Sequence, residues 1–371
     1  MSQQLNDYIT GEVNRSASVN YHLEFARQWM ADTEITEVVV NRPFEVWCER
    51  LNVWEKHEIP ELTFEHLMSL ATATAKFANN DVSDTRPILS AILPGGERVQ
   101  IVLPPACEHG TLSVTIRKPS FNIRTLEAYE KQGFFDHIQP TGRKPSEDEK
   151  KSLCLSGDEK ELLRLKENKD YVQFMRRSVQ LEKVIVVAGE TGSGKTTFMK
   201  ALMQEIPSNQ RIVTIEDVPE LFLPSHPNHV HLFYPSEAKE EENAMVTAAA
   251  LLKSCLRMKP TRILLAELRG GETFDFINVA ASGHGGSITS LHAGSTQLAF
   301  ERMALMCLQN RQGRMLPYSV ISRLLYLVVD IVIHVHNDIE SDAGRHITEI
   351  WYEPTLKRAP APTEDSHDAS V

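Results

Sequence analysis

The sequence predicts an α/β chain of two domains: an N-terminal α+β domain on an antiparallel sheet over residues 1–138, and a C-terminal α/β domain over residues 158–356. Three observations carry this. The chain has 371 residues, enough for two domains of about 100–200 each. Its apolar runs change in texture: early ones are short, β-prone and paired across turn residues. Later ones ("KVIVVAG", "RIVTIED", "RILLAEL") are continuously apolar, as strands covered on both faces are. Finally, the glycine-rich stretch Gly189–Thr196, "GETGSGKT", separates an apolar strand candidate from a helix candidate, "TTFMKALMQEI".

Taken in order, "EVVVN" and "FEVWCE" flank Arg42-Pro43 and read as a hairpin. "TFEHLMSLATATAKFAN" spaces its apolar residues as a helix does, with Thr63 as N-cap. "PILSAIL" and "RVQIVLP" flank the turn signal Pro94-Gly95-Gly96, and "TLSVTIR" is another strand. From Gln139 to Gly157 the chain turns polar, charged and turn-rich, which predicts an interdomain linker. "DEKELLRLKENKDYVQFMRRSVQL" then reads as helical, with Ser156 or Asp158 near its start. Apolar strands alternating with helical segments follow, the punctuation of βαβ units. "DIVIHVHN" and "HITEIWY" bracket "DIESDAGR" as a closing antiparallel pair, and residues 357–371 have too little to bury to be ordered.

The net charge of -11 and the lack of any basic run predict no direct nucleic-acid binding. The five cysteines include no pair at zinc spacing and fit reduced thiols in a cytoplasm. The N-terminus has no basic segment leading into an apolar core, so no secretory signal is expected. The most apolar run, Leu324–Val335, is broken by Asp330 and too short to span a bilayer as a helix. Membrane association is therefore expected to be peripheral or through partners.

Four stretches can carry chemistry. In Gly189–Thr196, glycines 189, 192 and 194 permit a tight turn that aims amide N–H groups at phosphate oxygens. Lys195 reaches β/γ-phosphates, Thr196 offers a hydroxyl to Mg²⁺, and the helix N-terminus adds partial positive charge. The candidate nucleotide-binding residues are thus Gly189, Glu190, Thr191, Gly192, Ser193, Gly194, Lys195, Thr196 and Thr197. In "RILLAELRGGE", Glu267 ends an apolar strand and can hold Mg²⁺ or its waters, or polarise the attacking water. In "TIEDVPEL", Glu216, Asp217 and Glu220 follow another strand, and spacing does not choose a base among them. In "SGHGGSITSLHAGS", His284 and His292 sit in a glycine-rich setting that suggests a mobile loop.

Read together, these four motifs in this order resemble the traffic ATPases of the type II/type IV secretion superfamily, over about residues 30–355. "ITEVVVNRPFEVWCE", "SCLRMKPTRILLAELRGGETFDF" and "AASGHGGSITSLHAGS" resemble the hexameric ATPases of type IV secretion and conjugative transfer most closely. The missing paired CxxC motifs and Arg269-Gly270-Gly271-Glu272-Thr273 after the strand-end glutamate separate the chain from the type II secretion and pilus-retraction branches.

The resemblance implies a RecA-like P-loop domain binding ATP and Mg²⁺, with Thr196 and Glu267 at the metal. It implies Glu220 as general base with Glu216 and Asp217 nearby, and His284 and His292 at the γ-phosphate. It implies that N-terminal arginines, here Arg98 and Arg117, reach the nucleotide. It further implies a cytoplasmic homo-hexamer, peripheral at the inner membrane, working with the membrane and coupling components of a secretion machine.

Overall fold

The computed structural model describes residues 16–50, 53–119, 123–141, 154–235, 246–338 and 343–358. The chain divides into two compact units, Met1–Phe121 and Asn122–Val371.

The first unit is a six-stranded sheet in the order β3-β2-β1-β6-β5-β4. Its strands are β1 (Ile35–Val40), β2 (Glu45–Arg50), β3 (Val53–Glu58), β4 (Ile88–Ile92), β5 (Arg98–Val102) and β6 (Ser113–Arg117). Every pairing is antiparallel. Helices α1 (Arg27–Ala31) and α2 (Phe64–Phe77) accompany the sheet. Thr63 caps α2, its hydroxyl accepting from His66 N at 3.2 Å. The core joins Leu67, Leu70 and Ala71 of α2 to Val38, Val46, Val99 and Val114 of the sheet. β3 has no counterpart among the expected strands, because this edge strand exposes most of "VWEKHE" and so carries no apolar pattern.

The second unit holds a seven-stranded sheet in the order β13-β12-β7-β11-β10-β8-β9. These are β7 (Ile185–Gly189), β8 (Ile212–Glu216), β9 (His229–Phe233), β10 (Arg262–Leu265), β11 (Ile288–Leu291), β12 (Ile331–Asp338) and β13 (Gly344–Trp351). All pair in parallel except β13, which closes the edge antiparallel to β12. The helices are α3 (Leu126–Lys131), α4 (Gly157–Glu167), α5 (Tyr171–Gln180), α6 (Lys195–Gln204), α7 (Ala248–Cys255), α8 (Glu272–Ala281), α9 (Thr296–Gln309) and α10 (Tyr318–Val328). Along β7, Ile185 and Val187 enter one core while Val184, Val186 and Ala188 enter another. The sheet is therefore covered on both faces, which is why its strands are apolar without alternation.

Three boundaries differ from expectation. The first unit ends at Phe121 rather than 138, because Leu126, Tyr129, Phe134 and Phe135 pack in the second unit's core. Tyr129 and Phe134 stack around Phe198 of α6 at centroid distances of 5.3 and 5.2 Å. Of the expected linker, Gln139 and Thr141 run beside β13, bonding Thr348 O and Ile350 O, and residues 142–153 lie outside the described residues. The single helical stretch expected after it is two helices. Ser156 caps α4 in a reciprocal box with Glu159, and a turn with Lys169 at φ 60° precedes Asp170, which caps α5. Of the expected disordered tail, Lys357 pairs with Asp330 at 2.6 Å and Arg358 with Glu159 at 2.8 Å, and 359–371 lie outside the described residues.

Candidate nucleotide site

The glycine loop is shaped by contacts that only glycine allows. Gly189 ends β7 at φ +157°, and a Cβ there would stand 2.3 Å from Val335 O and 2.7 Å from Ser193 Oγ. Gly192 and Gly194 sit at φ +78° and +94°, the left-handed region that L side chains avoid. Gly194 is the N-cap of α6, so the helix's first N–H groups open onto the loop.

Within the loop the carbonyl of Glu190 is a hub. It accepts from Ser193 N at 3.3 Å, Ser193 Oγ at 2.8 Å and Lys195 Nζ at 2.7 Å. Lys195 is only 7% exposed, and its ammonium also lies 3.4 Å from His292 Nδ1.

Parallel register brings the acidic strand ends to the same edge. Leu291 of β11 stands opposite Ala188 of β7, and Leu265 of β10 opposite Ile215 of β8. His292 follows β11 directly, and its Nε2 lies 2.9 Å from Glu267 Oε1. Burial first, then the Lys195 charge, holds the His292 pKa below its ordinary 6.5, against the pull of Glu267. The ring is thus neutral near pH 7. An ammonium can only donate, so Nδ1 accepts from Lys195 and the ring proton lies on Nε2, the nitrogen that faces Glu267. Lys195, His292 and Glu267 form one polar chain across β7, β11 and β10. Arg269, two residues beyond Glu267, pairs with both Glu267 and Asp217, tying β10 to the end of β8. Glu272 accepts from the amides of Arg269 at 2.7 Å and Gly270 at 2.9 Å, fixing this turn.

Glu216 differs from its neighbours. It is 1% exposed and its oxygens are taken. Oε2 accepts from the amides of Glu220 at 2.7 Å and Leu221 at 2.8 Å, and Oε1 from the Thr214 hydroxyl at 2.7 Å. His231 Nδ1 lies 3.2 Å from Oε1. Glu216 holds the loop that presents half-buried Glu220.

In "SGHGGSITSLHAGS" the structure differs from expectation in two ways. Residues 288–291 are not part of a mobile loop but a fully buried strand between β7 and β10; Thr289 and Ser290 disguised it as polar. And only His292 joins the crevice. His284 precedes β11, where Ser287 O meets Ile185 N and Gly285 abuts Glu182, at the opposite edge of the parallel sheet from Lys195. Two residues to which the sequence assigns no role also touch the site. Arg269 had a signal, its i+2 spacing from Glu267 in "ELRGGE". Arg345, on β13, donates from Nε to Gly192 O at 3.0 Å, and no local pattern announces a contact so far along the chain.

In the first unit, Arg98 of β5 stands directly opposite Arg117 of β6, with Glu37 of β1 opposite Arg117 on the other side. Arg117 Nε is 3.8 Å from Glu37. Like charges facing across a ladder are unfavourable, and an anion between them relieves that cost.

The lowered His292 pKa has a consequence for stability, shared by His334 of β12. Burial lowers the His334 pKa too, against Glu349 and Glu190, with His336 adding to it. Below 6.5 the unfolded chain takes up protons that these folded-state rings refuse, so stability is full above 6.5 and declines as the pH falls towards the lowered values. Urea unfolding across this range is expected to show that decline, and His292→Asn and His334→Asn each to flatten it.

The parallel sheet brings a glycine loop, a buried lysine and acidic strand ends to one edge, an arrangement suited to holding a phosphate. The comparisons agree. The chain belongs to the type II/IV secretion system protein family, whose model matches residues 154–349. It is 68% identical over 362 residues to the type IV secretion system protein VirB11 of Brucella abortus, covering 97% of each chain. It is also similar to the crystal structure of the Brucella suis VirB11 ATPase in complex with sulphate, at 67% identity and a TM-score of 0.52, covering 92% of this chain and 99% of that one. The Legionella pneumophila ATPase DotB shares the fold at 15% identity and a TM-score of 0.54, covering 88% and 78%. Among the described residues no helix is long and apolar enough to cross a membrane.

Proposed function

We propose that the chain is a Mg²⁺-dependent ATP hydrolase that assembles as a homo-hexameric ring in the cytoplasm, peripheral at the inner membrane. There it powers substrate transfer or pilus assembly by a type IV secretion or conjugation machine, in contact with that machine's membrane and coupling components. The observation that carries the chemistry is the chain Lys195–His292–Glu267 beside a loop of left-handed glycines. The relatives' place in type IV secretion supports the rest.

In this reading the amides of residues 189–196 and Lys195 hold the phosphates. Lys195 exchanges Glu190 O for phosphate oxygens, which neutralises charge developing on the transferred group. Glu220 takes the proton of the attacking water, positioned by the Glu216 grip on its amide. His292 follows the γ-phosphate through its hydrogen bond to Lys195 and its contact with Glu267. Arg98 and Arg117, facing each other across β5 and β6, offer guanidinium groups suited to a phosphate. His284, away from this edge, has no part in the same site.

The donor set also fits the cation. The Thr196 hydroxyl and the Glu267 carboxylate are hard oxygen ligands of the kind Mg²⁺ takes, usually with several of its waters retained. Glu267 is engaged by Arg269 and His292, which suits it to hold such waters rather than the ion directly. Mg²⁺, when bound, screens the phosphate charge.

Glu267→Gln tests the reading. It is expected to keep ATP binding while lowering turnover about 100-fold. If transfer through the machine persists with ATP bound and no turnover, the protein is an ATP-switched scaffold instead of a motor.

A further inference from the structure

The last hairpin of the second unit reaches past the sheet that it closes. β12 pairs with β7 from Ile331↔Ile185 to Val335↔Gly189, where β7 ends. β12 runs on to Asp338, still paired with β13 as His336↔His346 and Asn337↔Arg345. At about 3.3 Å per residue, Arg345 lies about 7 Å beyond the level of Gly189, alongside the glycine loop. Its Nε donates to Gly192 O at 3.0 Å, and its Cδ lies 3.3 Å from where a Cβ on Gly194 would stand.

This contact sets the orientation of a peptide. With the Gly192 carbonyl turned out to Arg345, the N–H of the same peptide unit, on Ser193, turns the other way and bonds Glu190 O. The same Glu190 carbonyl accepts from Lys195. Released, the Gly192–Ser193 unit, next to a residue at φ +78°, is free to rotate its carbonyl dipole towards an incoming anion. The guanidinium also places a fixed positive charge against the loop from a strand that is not part of it.

We propose that Arg345 is a positioning residue for the phosphate-binding loop: it locks the Gly192–Ser193 peptide from outside and raises the loop's affinity for a nucleoside polyphosphate. The proposal rests on the nucleotide reading above. It differs from the roles of Lys195 and Thr196 in acting on the loop's shape, so its effect falls on binding and not on the chemical step.

The test is steady-state ATP hydrolysis and binding of a fluorescent ATP analogue by the full chain, unaltered and as Arg345→Ala and Arg345→Lys. Arg345→Ala is expected to raise KM and the analogue's Kd about tenfold, the size of one charge-assisted hydrogen bond, with kcat within about twofold. Arg345→Lys, which keeps the charge without the fixed Nε, is expected to recover part of the loss. Arg345 is exposed, so the thermal midpoint should stay put, and if the alanine variant misfolds the lysine variant carries the comparison. Unchanged KM and Kd in a folded variant, or a fall in kcat at constant KM, overturns the proposal. Failure of the unaltered chain to bind the analogue instead overturns the nucleotide reading, and this inference with it.

Discussion

Lys195→Ala is expected to lower ATP hydrolysis by about 10²–10³-fold or more while leaving the protein folded. The lysine is 7% exposed, so its charge works in a partly desolvated site where it is worth more than in water. Neither His292, which is neutral, nor Arg269, which is spent on Glu267 and Asp217, replaces it. Stability should move little, because Glu190 O keeps two donors, Ser193 N and Oγ, after the ammonium is gone. The measurement is phosphate release at saturating ATP, with a thermal melt as the control for folding. Turnover at the unaltered rate would remove Lys195 from the site.

The fold was legible where burial imposes a pattern. β7, β8 and β10 were readable because both faces of the sheet are covered and the runs become continuously apolar. The glycine loop was readable because its left-handed positions admit little else, and Gly189 is wedged against Val335 O. β11 was not, because a buried strand need not be apolar: Thr289 and Ser290 are inside, and the Ser290 hydroxyl bonds Ala266 O at 2.7 Å. That misreading also misplaced His284, since only a strand between the two histidines separates them to opposite edges.

Side-chain contacts across long separations left no trace in the sequence. Arg345 and Gly192 meet only once β12 and β13 have been aligned with β7. The boundary expected at residue 138 moves to 121 for a related reason: Phe134 and Phe135 find their partner, Phe198, only in the folded core.

Glu216 separates a catalytic carboxylate from a supporting one. Spacing groups it with Asp217 and Glu220, yet it is buried and hydrogen-bonded at both oxygens, with no lone edge turned to the crevice. Glu216→Ala strands the amide of Leu221, itself buried, together with that of Glu220, while the Thr214 hydroxyl keeps His231 Nδ1 at 2.7 Å. An unmet buried polar group costs about 1–3 kcal/mol, so a total near 3 kcal/mol is expected. It also weakens compensation of Lys200, a buried lysine whose pKa burial lowers and which Glu220 and Glu216 hold up. For a unit of this size the loss corresponds to about 6–12 °C in thermal midpoint. Activity should fall with it, because Glu220 is no longer held. Glu220→Gln is expected to do the reverse, cutting kcat with the midpoint unchanged. The pair is decisive: if Glu216→Gln abolishes turnover with no thermal shift, Glu216 is the base and the assignment to Glu220 is wrong. If the midpoint drops while Glu220→Gln alone silences a stable protein, the buried carboxylate is the scaffold on which the base stands.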